Sequence, residues 1–519
     1  MKGISFRIQQ FFLLTTYVVT IWSLMSVLVN YRMGSLYGIF RRENTFQTVG
    51  RIGWLSFFIA LVLIVVLWIL GHVARKYKMS DKCAFFLLII EILVLSVGTH
   101  YFLRKLGYDH LVDDSGIVYR WMTNFHQINP WKNGGIDQYF YANPQNMFLA
   151  LIYRLIMALF GSNFCATVSA FFMIHAATIV LLFKTLRRLK LNNVQALLLV
   201  QIYFFAIQLT LHSVLAYTDT LALFFIVVSL FFFSGFVDQH KPIRARRWNF
   251  IWTNVFAVIG FIGKGTMLIY IIALSLYLAL TTHGKTRLLS IVPMVFLVVG
   301  NLGWHAAINS SGVYSDSNFG QPNTHYVMMG IDNTPIPKRL DPQQKQLWSV
   351  GIYEKSEQDY SWHLLYDKQL SKKSVEKKQL KIYKTRLTSM NFSQLLEAIN
   401  NKISVVYGSG DAKVTFSLLR ASRNQIRADS ILTSDHIGKL LYIIMTIAQL
   451  LIYISIIAAC VFGLKHPDSL LFLGGIFISG YFAFMLIWEA NPRYSLILFP
   501  IAIMMLARTL ILQQNADSV

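Results

Sequence analysis

The sequence predicts an all-α polytopic membrane protein of about twelve transmembrane helices, with an extracytoplasmic α/β-type domain between the ninth and tenth. Hydrophobic residues make up 55% of the chain and charged residues only 14%, against roughly 25% charged in soluble proteins. The apolar residues fall in runs long enough to cross about 30 Å of hydrocarbon. Between 305 and 437 those runs stop, and 17 Lys/Arg with 12 Asp/Glu appear in a stretch of soluble composition.

Candidate spans lie near 11–30, 52–72, 83–103, 164–186, 194–213 and 216–236, then near 249–263, 266–282, 287–304, 438–463, 469–487 and 494–513. The first, Phe11 to Val29, is too long for a signal-peptide core and lacks a cleavage site, so it is expected to stay as an anchor. With the N-terminus inside, the cytoplasmic connections carry Arg75 to Lys78, Lys184 to Lys190, Arg244 to Arg247, and Lys285 with Arg287. Loops 212–220 and 488–493 on the other side are nearly uncharged. This obeys the positive-inside rule except at Arg41-Arg42, and both termini are expected in the cytoplasm. The run Met147 to Phe160 is short and carries Arg154, so it reads as an amphipathic helix lying on the outer surface. The domains expected are thus 1–304, with nine spans and an outer loop at 104–163; 305–437, extracytoplasmic, with a helical centre near Ser371 to Leu387; and 438–519, with three spans.

The formal charge of +23 would suit nucleic acid in a soluble chain. Here the basic residues cluster in short loops, as orientation signals and anionic-lipid contacts do, and nucleic-acid binding is not expected. Cys83, Cys165 and Cys460 all lie in or at the ends of hydrophobic segments and give no disulfide framework.

Asp113 and Asp114 open the long loop after the third span. Their plain reading is an acidic start to a helix whose Val118, Trp121, Met122 and Phe125 form an apolar face. Asp114-Ser-Gly-Ile-Val-Tyr119, Tyr139-Phe-Tyr-Ala-Asn-Pro-Gln-Asn146 and the stretch ending Leu159-Phe-Gly161 together resemble something more specific. They are similar to the first outer loop of GT-C fold membrane glycosyltransferases, above all the Gram-positive members related to protein O-mannosyltransferases. Further matches follow in order: Tyr217-Thr-Asp-Thr220, Pro322-Asn-Thr-His-Tyr-Val-Met-Met-Gly330 and Trp488-Glu-Ala-Asn-Pro-Arg-Tyr494. The likeness spans roughly 83 to 513. The chain departs from the pattern at Ser115, where Pro is common, and at Asn143-Pro-Gln-Asn146, where Tyr-Pro-Asn-Asn is more usual.

The resemblance implies transfer of a sugar from a polyprenyl-phosphate donor to a glycan or protein acceptor outside a cell membrane. Asp114 or Asp113 would be the base, and the reaction would invert the anomeric carbon. The phosphate leaving group needs cations rather than a proton, so one base suffices. Arg493, whose guanidinium fork suits phosphate, is the first candidate ligand, although it can instead pair with Glu489 four residues earlier. Lys264 is the second, unless it snorkels at the interface. His325 would touch phosphate or acceptor unless it is structural, Asp219 would position sugar hydroxyls or serve a metal, and Tyr139, Asn146 and Glu489 complete the substrate-binding set. Glu91, within the third span, either lines a polar cavity or bonds to a neighbouring helix. No cluster has metal-ligand spacing, so neither metal nor cofactor is expected. The rival class is a transporter or flippase of lipid-linked sugars. Polar residues gathered at one face, and an insert that breaks six-plus-six symmetry, weigh against it.

Overall fold

A computed structural model describes residues 2–29, 45–130, 135–315, 319–331, 351, 355–434, 436–466 and 468–516. Arg41-Arg42 and most of 332–354 lie outside them. Among the described residues the chain is helical, with two isolated β-bridges, Tyr108 to Ser422 and Ile128 to Tyr314.

Nine described helices are long and apolar enough to cross a membrane. A tenth span arises if Asn193–Phe205 and Ile207–Val214, bent by 60°, are taken together. The expected spans at 249–263 and 266–282 are the helices Ile243–Gly263 and Leu268–Thr281, which are not among those nine. Ile243–Gly263 is a helix that begins with Arg244, Arg246 and Arg247, and it breaks at Lys264. The apolar stretch Gly265–Thr281 that follows is about 25 Å long at 1.5 Å per residue, short of the hydrocarbon thickness. Glycines bring neighbours close here: a Cβ on Gly260 would sit 2.9 Å from Met267 Cε.

Helix ends follow local chemistry. Ser80 accepts the backbone N–H of Cys83 at the start of Asp81–Leu106, and Gly107, at φ +70°, closes its end. Asn192 and Asn391 each form a capping box, and Asp468 caps Ser469–Ile487. Val94, Val97 and Val299 are exposed on the long helices, as lipid-facing residues are.

The first helix, Lys2–Val29, packs against helices near the other end of the chain. Thr16 Oγ1 donates to the Gly475 carbonyl at 2.9 Å, Gln9 Nε2 donates to the Asp468 carbonyl at 3.1 Å, and Leu13 fits against Gly463 and Gly475. At its far end Trp22 Nε1 donates to Asn400 Oδ1, 3.1 Å away, in the polar segment.

That segment, 305–437, holds helices and no strand among its described residues, where an α/β arrangement is expected from composition. The reason is capping: Ser371 starts Lys372–Thr388 and Asn391 starts Phe392–Tyr407. The first of these lies where the helical centre is expected. Lys402 is buried and its Nζ donates to the carbonyls of Gly330 and Leu486, which ties the segment to the end of Ser469–Ile487. Val414 and Leu418 join Val118, Trp121 and Phe140 in one core cluster, so the segment packs directly on the loop that follows the third span.

Candidate active site

Gly107 ends the third span in the left-handed region, and residues 108–112 lead to the helix Asp113–Thr123. Its first turn is tight. A Cβ on Gly116 would meet the Leu111 carbonyl oxygen at 2.3 Å, and Ser115 Oγ donates to the Val112 carbonyl at 2.8 Å. Val118, Trp121 and Met122 bury one face as expected, while Phe125 stays 52% exposed with Arg154 over its ring. Trp121 packs on Phe140 at 4.5 Å, and Phe140 belongs to the helix Gly135–Ala142 that carries Tyr139.

The Tyr139 hydroxyl bonds to Asp114 and accepts from Asn146 Nδ2 at 2.6 Å. Beside it, Asn143 Oδ1 accepts from Tyr326 at 3.0 Å, and Tyr326 stacks on Trp488 at 5.0 Å. The motif ending Asn146 and the one opening at Pro322 thus meet in one network. Met147–Phe160 buries one face, including Tyr153, whose hydroxyl donates to the Ala216 carbonyl at 2.7 Å. Ala216 precedes Tyr217 and the helix Thr218–Val237, whose first turn holds Asp219.

Asp219 is buried between two cations. Its Oδ1 lies 2.6 Å from Lys264 Nζ and its Oδ2 3.6 Å from Arg493 Nε. Arg493 Nη2 reaches Asp114 Oδ2 at 4.0 Å, and its guanidinium lies 4.1 Å from the Tyr217 ring centre. The ion pairs of Arg493 are therefore with Asp114 and Asp219, and Lys264 is an interior cation rather than a snorkelling one. Glu489 is buried nearby. Asp113 pairs with Arg420.

A cleft opens here, lined by Asp113, His212, Tyr217, Lys413, Arg493 and neighbours. Burial raises the Asp114 carboxyl above the usual carboxylate range, against the pull of Arg493 and the Tyr139 hydrogen bond. Burial likewise raises Glu489. A carboxyl so perturbed beside a fixed guanidinium can take a proton while a phosphate sits on the cation.

Of the residues picked from sequence, Asp113, Asp114, Tyr139, Asn146, Asp219, Lys264, Glu489 and Arg493 come together. His325 does not face the cleft. It is completely buried, its Nδ1 is 2.8 Å from Ser361 Oγ, and burial pushes its imidazole down to about 4. It lies in the interior of the polar segment and is not among the residues that line the cleft. Glu91 accepts both its hydrogen bonds from Gln201, at 3.1 and 3.0 Å, the helix-to-helix alternative. Lys413 and Arg420 were not legible as site residues. The only signal was the Gly-Ser-Gly turn at 408–410 ahead of them.

Residues 144–304 match the family model described as dolichyl-phosphate-mannose-protein mannosyltransferase. No curated protein matches the chain. Among solved structures it is similar to ArnT from Cupriavidus metallidurans bound to undecaprenyl phosphate, at 12% identity over 85% of this chain and 80% of that one. The TM-score is 0.33, too remote to transfer any position. The family match covers the helix expected on the outer surface, Met147–Phe160, together with Asp219 and Lys264.

Proposed function

We propose that this chain transfers a sugar from a polyprenyl-phosphate donor to an acceptor hydroxyl outside the membrane, with inversion and with Asp114 as the base. The observation that carries the reading is the Asp114 carboxylate 4.0 Å from the guanidinium of Arg493, a residue that lines the cleft. The acceptor oxygen attacks the anomeric carbon as its proton passes to Asp114, and the bond from that carbon to the phosphate oxygen breaks. The electron pair leaves on the phosphate, held by Arg493 and Lys264. Asp219 fixes both cations, and Asp113, engaged by Arg420, is the weaker candidate base.

Both termini would be cytoplasmic, and 305–437 would cover the cleft from outside, as an extracytoplasmic domain. Its basic excess suits an anionic acceptor such as a cell-wall or teichoic-acid type glycopolymer, ahead of a secreted protein. The test is transfer from labelled undecaprenyl-phosphate sugars to cell-wall polymer in membranes holding wild type, Asp114→Asn or Asp113→Asn at equal protein level. Asp114→Asn is expected to lose about a hundred- to ten-thousandfold in rate, and Asp113→Asn much less. If neither substitution lowered transfer, the base assignment would fail and translocation of lipid-linked sugars would take its place.

A further inference from the structure

Among the described residues, six that are not glycine have a left-handed backbone: Asp113, Lys190, Ala216, Gln369, Ala412 and Lys413. Four of them gather at the same cleft. Asp113, Ala412 and Lys413 line it, and Ala216 lies between two residues that do, Leu215 and Tyr217. Side chains disfavour this region, and such strain persists where surrounding structure enforces it.

The enforcement is clearest at 409–413. Gly410 is pressed against the helix His436–Lys465, where a Cβ would come within 2.6 Å of Thr446 Cα. Asp411 is completely buried. Its Oδ1 lies 2.5 Å from Ser409 Oγ and accepts the Lys413 backbone N–H at 3.3 Å. The Asp411 carboxylate thus folds the turn back on itself, and two successive left-handed residues, at φ +50° and +68°, follow. Their effect is to set Lys413 in the cleft wall with Arg493, among the charges of Asp113, Glu489 and Asp114. A lysine needed only for packing would not require that backbone, since a glycine at 412 or 413 would adopt it freely.

We propose that Lys413 is a third ligand of the donor phosphate, supplied by the polar segment to complete the pair formed by Arg493 and Lys264. This rests on the glycosyl-transfer reading above. The donor would then be clamped between the membrane helices and the segment that covers them, so binding and covering are one event. Burial lowers the ammonium's pKa, the condition of a cation that gains from an incoming anion.

The test uses the full-length protein in nanodiscs, with undecaprenyl phosphate as the probe, and compares wild type with Lys413→Gly, Lys413→Asn and Lys413→Arg. Gly relieves the backbone strain and Asn tolerates it, so both variants should fold, and Lys413→Gly should melt above wild type. Both should bind undecaprenyl phosphate about ten- to hundredfold more weakly, with donor KM raised more than kcat is lowered, and Lys413→Arg should recover part of the loss. Wild-type affinity in a Lys413→Gly protein that melts higher would overturn the proposal. If Asp114→Asn abolished transfer in the same preparation, the functional reading would survive that result. Failure of wild type itself to bind undecaprenyl phosphate would overturn both.

Discussion

Replacing Asp219 by Asn keeps the shape of the side chain and removes the one charge that lies between Lys264 and Arg493. At 2.6 and 3.6 Å, and an effective dielectric constant of about 20, the gross attractions are about 6 and about 5 kcal/mol. Desolvation offsets most of this in the intact cluster. The side chains of Asp219, Lys264 and Arg493 are only 5%, 11% and 16% exposed, so the offset does not return when the carboxylate alone is lost. Removing one partner of a buried pair typically costs about 3–5 kcal/mol, and Asp219→Asn should fall in that range. Lys264→Met in the same chain removes one of the stranded cations, so the double variant should be more stable than Asp219→Asn alone by about 2 kcal/mol. Unfolding in a denaturing-detergent titration, run on wild type, both single variants and the double, measures the cycle. Effects that add within about 0.5 kcal/mol would mean the two residues do not interact, and the reasoning would be refuted.

Three further outcomes are expected. Transfer should fall as pH is lowered through the raised Asp114 pKa, because a base must be ionised, and a rate that held level down to the usual carboxylate value of 3.8 would contradict this. The stability sign is the reverse. A carboxyl raised in the folded state favours folding while protonated, so its contribution is full below 3.8 and is lost as pH rises through the folded value. Melting curves should therefore show Asp114→Asn gaining on wild type as pH rises. Gly410→Ala should destabilise by about 1–3 kcal/mol, since its Cβ meets the Thr446 backbone, which cannot move aside as the nearby Thr446 hydroxyl could. By moving the turn that aims Lys413, it should also raise donor KM.

Hydropathy marked every long helix because lipid leaves the chain no other way to satisfy its backbone. It gave no sign of the break at Lys264, where the helix Ile243–Gly263 ends and a short 3-10 turn follows. The loop helix at Asp113 was legible from its periodic face, and Asp114, Asp219 and Arg493 were legible as residue types in short motifs. Their meeting was not, because it depends on how helices far apart in sequence pack. His325 sits in a motif as suggestive as that of Arg493, yet its surroundings bury it against Ser361. Lys413 escaped notice because no residue letter announces a left-handed lysine. The described residues of the polar segment hold no strand, and soluble composition says nothing of strand or helix, although the caps at Ser371 and Asn391 were there to be read.

The contacts of the first helix bear on how the protein is made. Thr16 finds its partner at Gly475, 459 residues later in the chain, and Leu13 its own at Gly463 and Gly475. At about 5–20 residues per second the first helix waits roughly 20–90 s for them. Meanwhile its Thr16, Thr20 and Ser23 face has no protein seat, and Arg493 has not yet emerged to meet Asp114. Assembly of the bundle and completion of the site are thus the same late event, so a chain that stops short of its final helices would offer quality-control proteases both an unseated first helix and an incomplete centre.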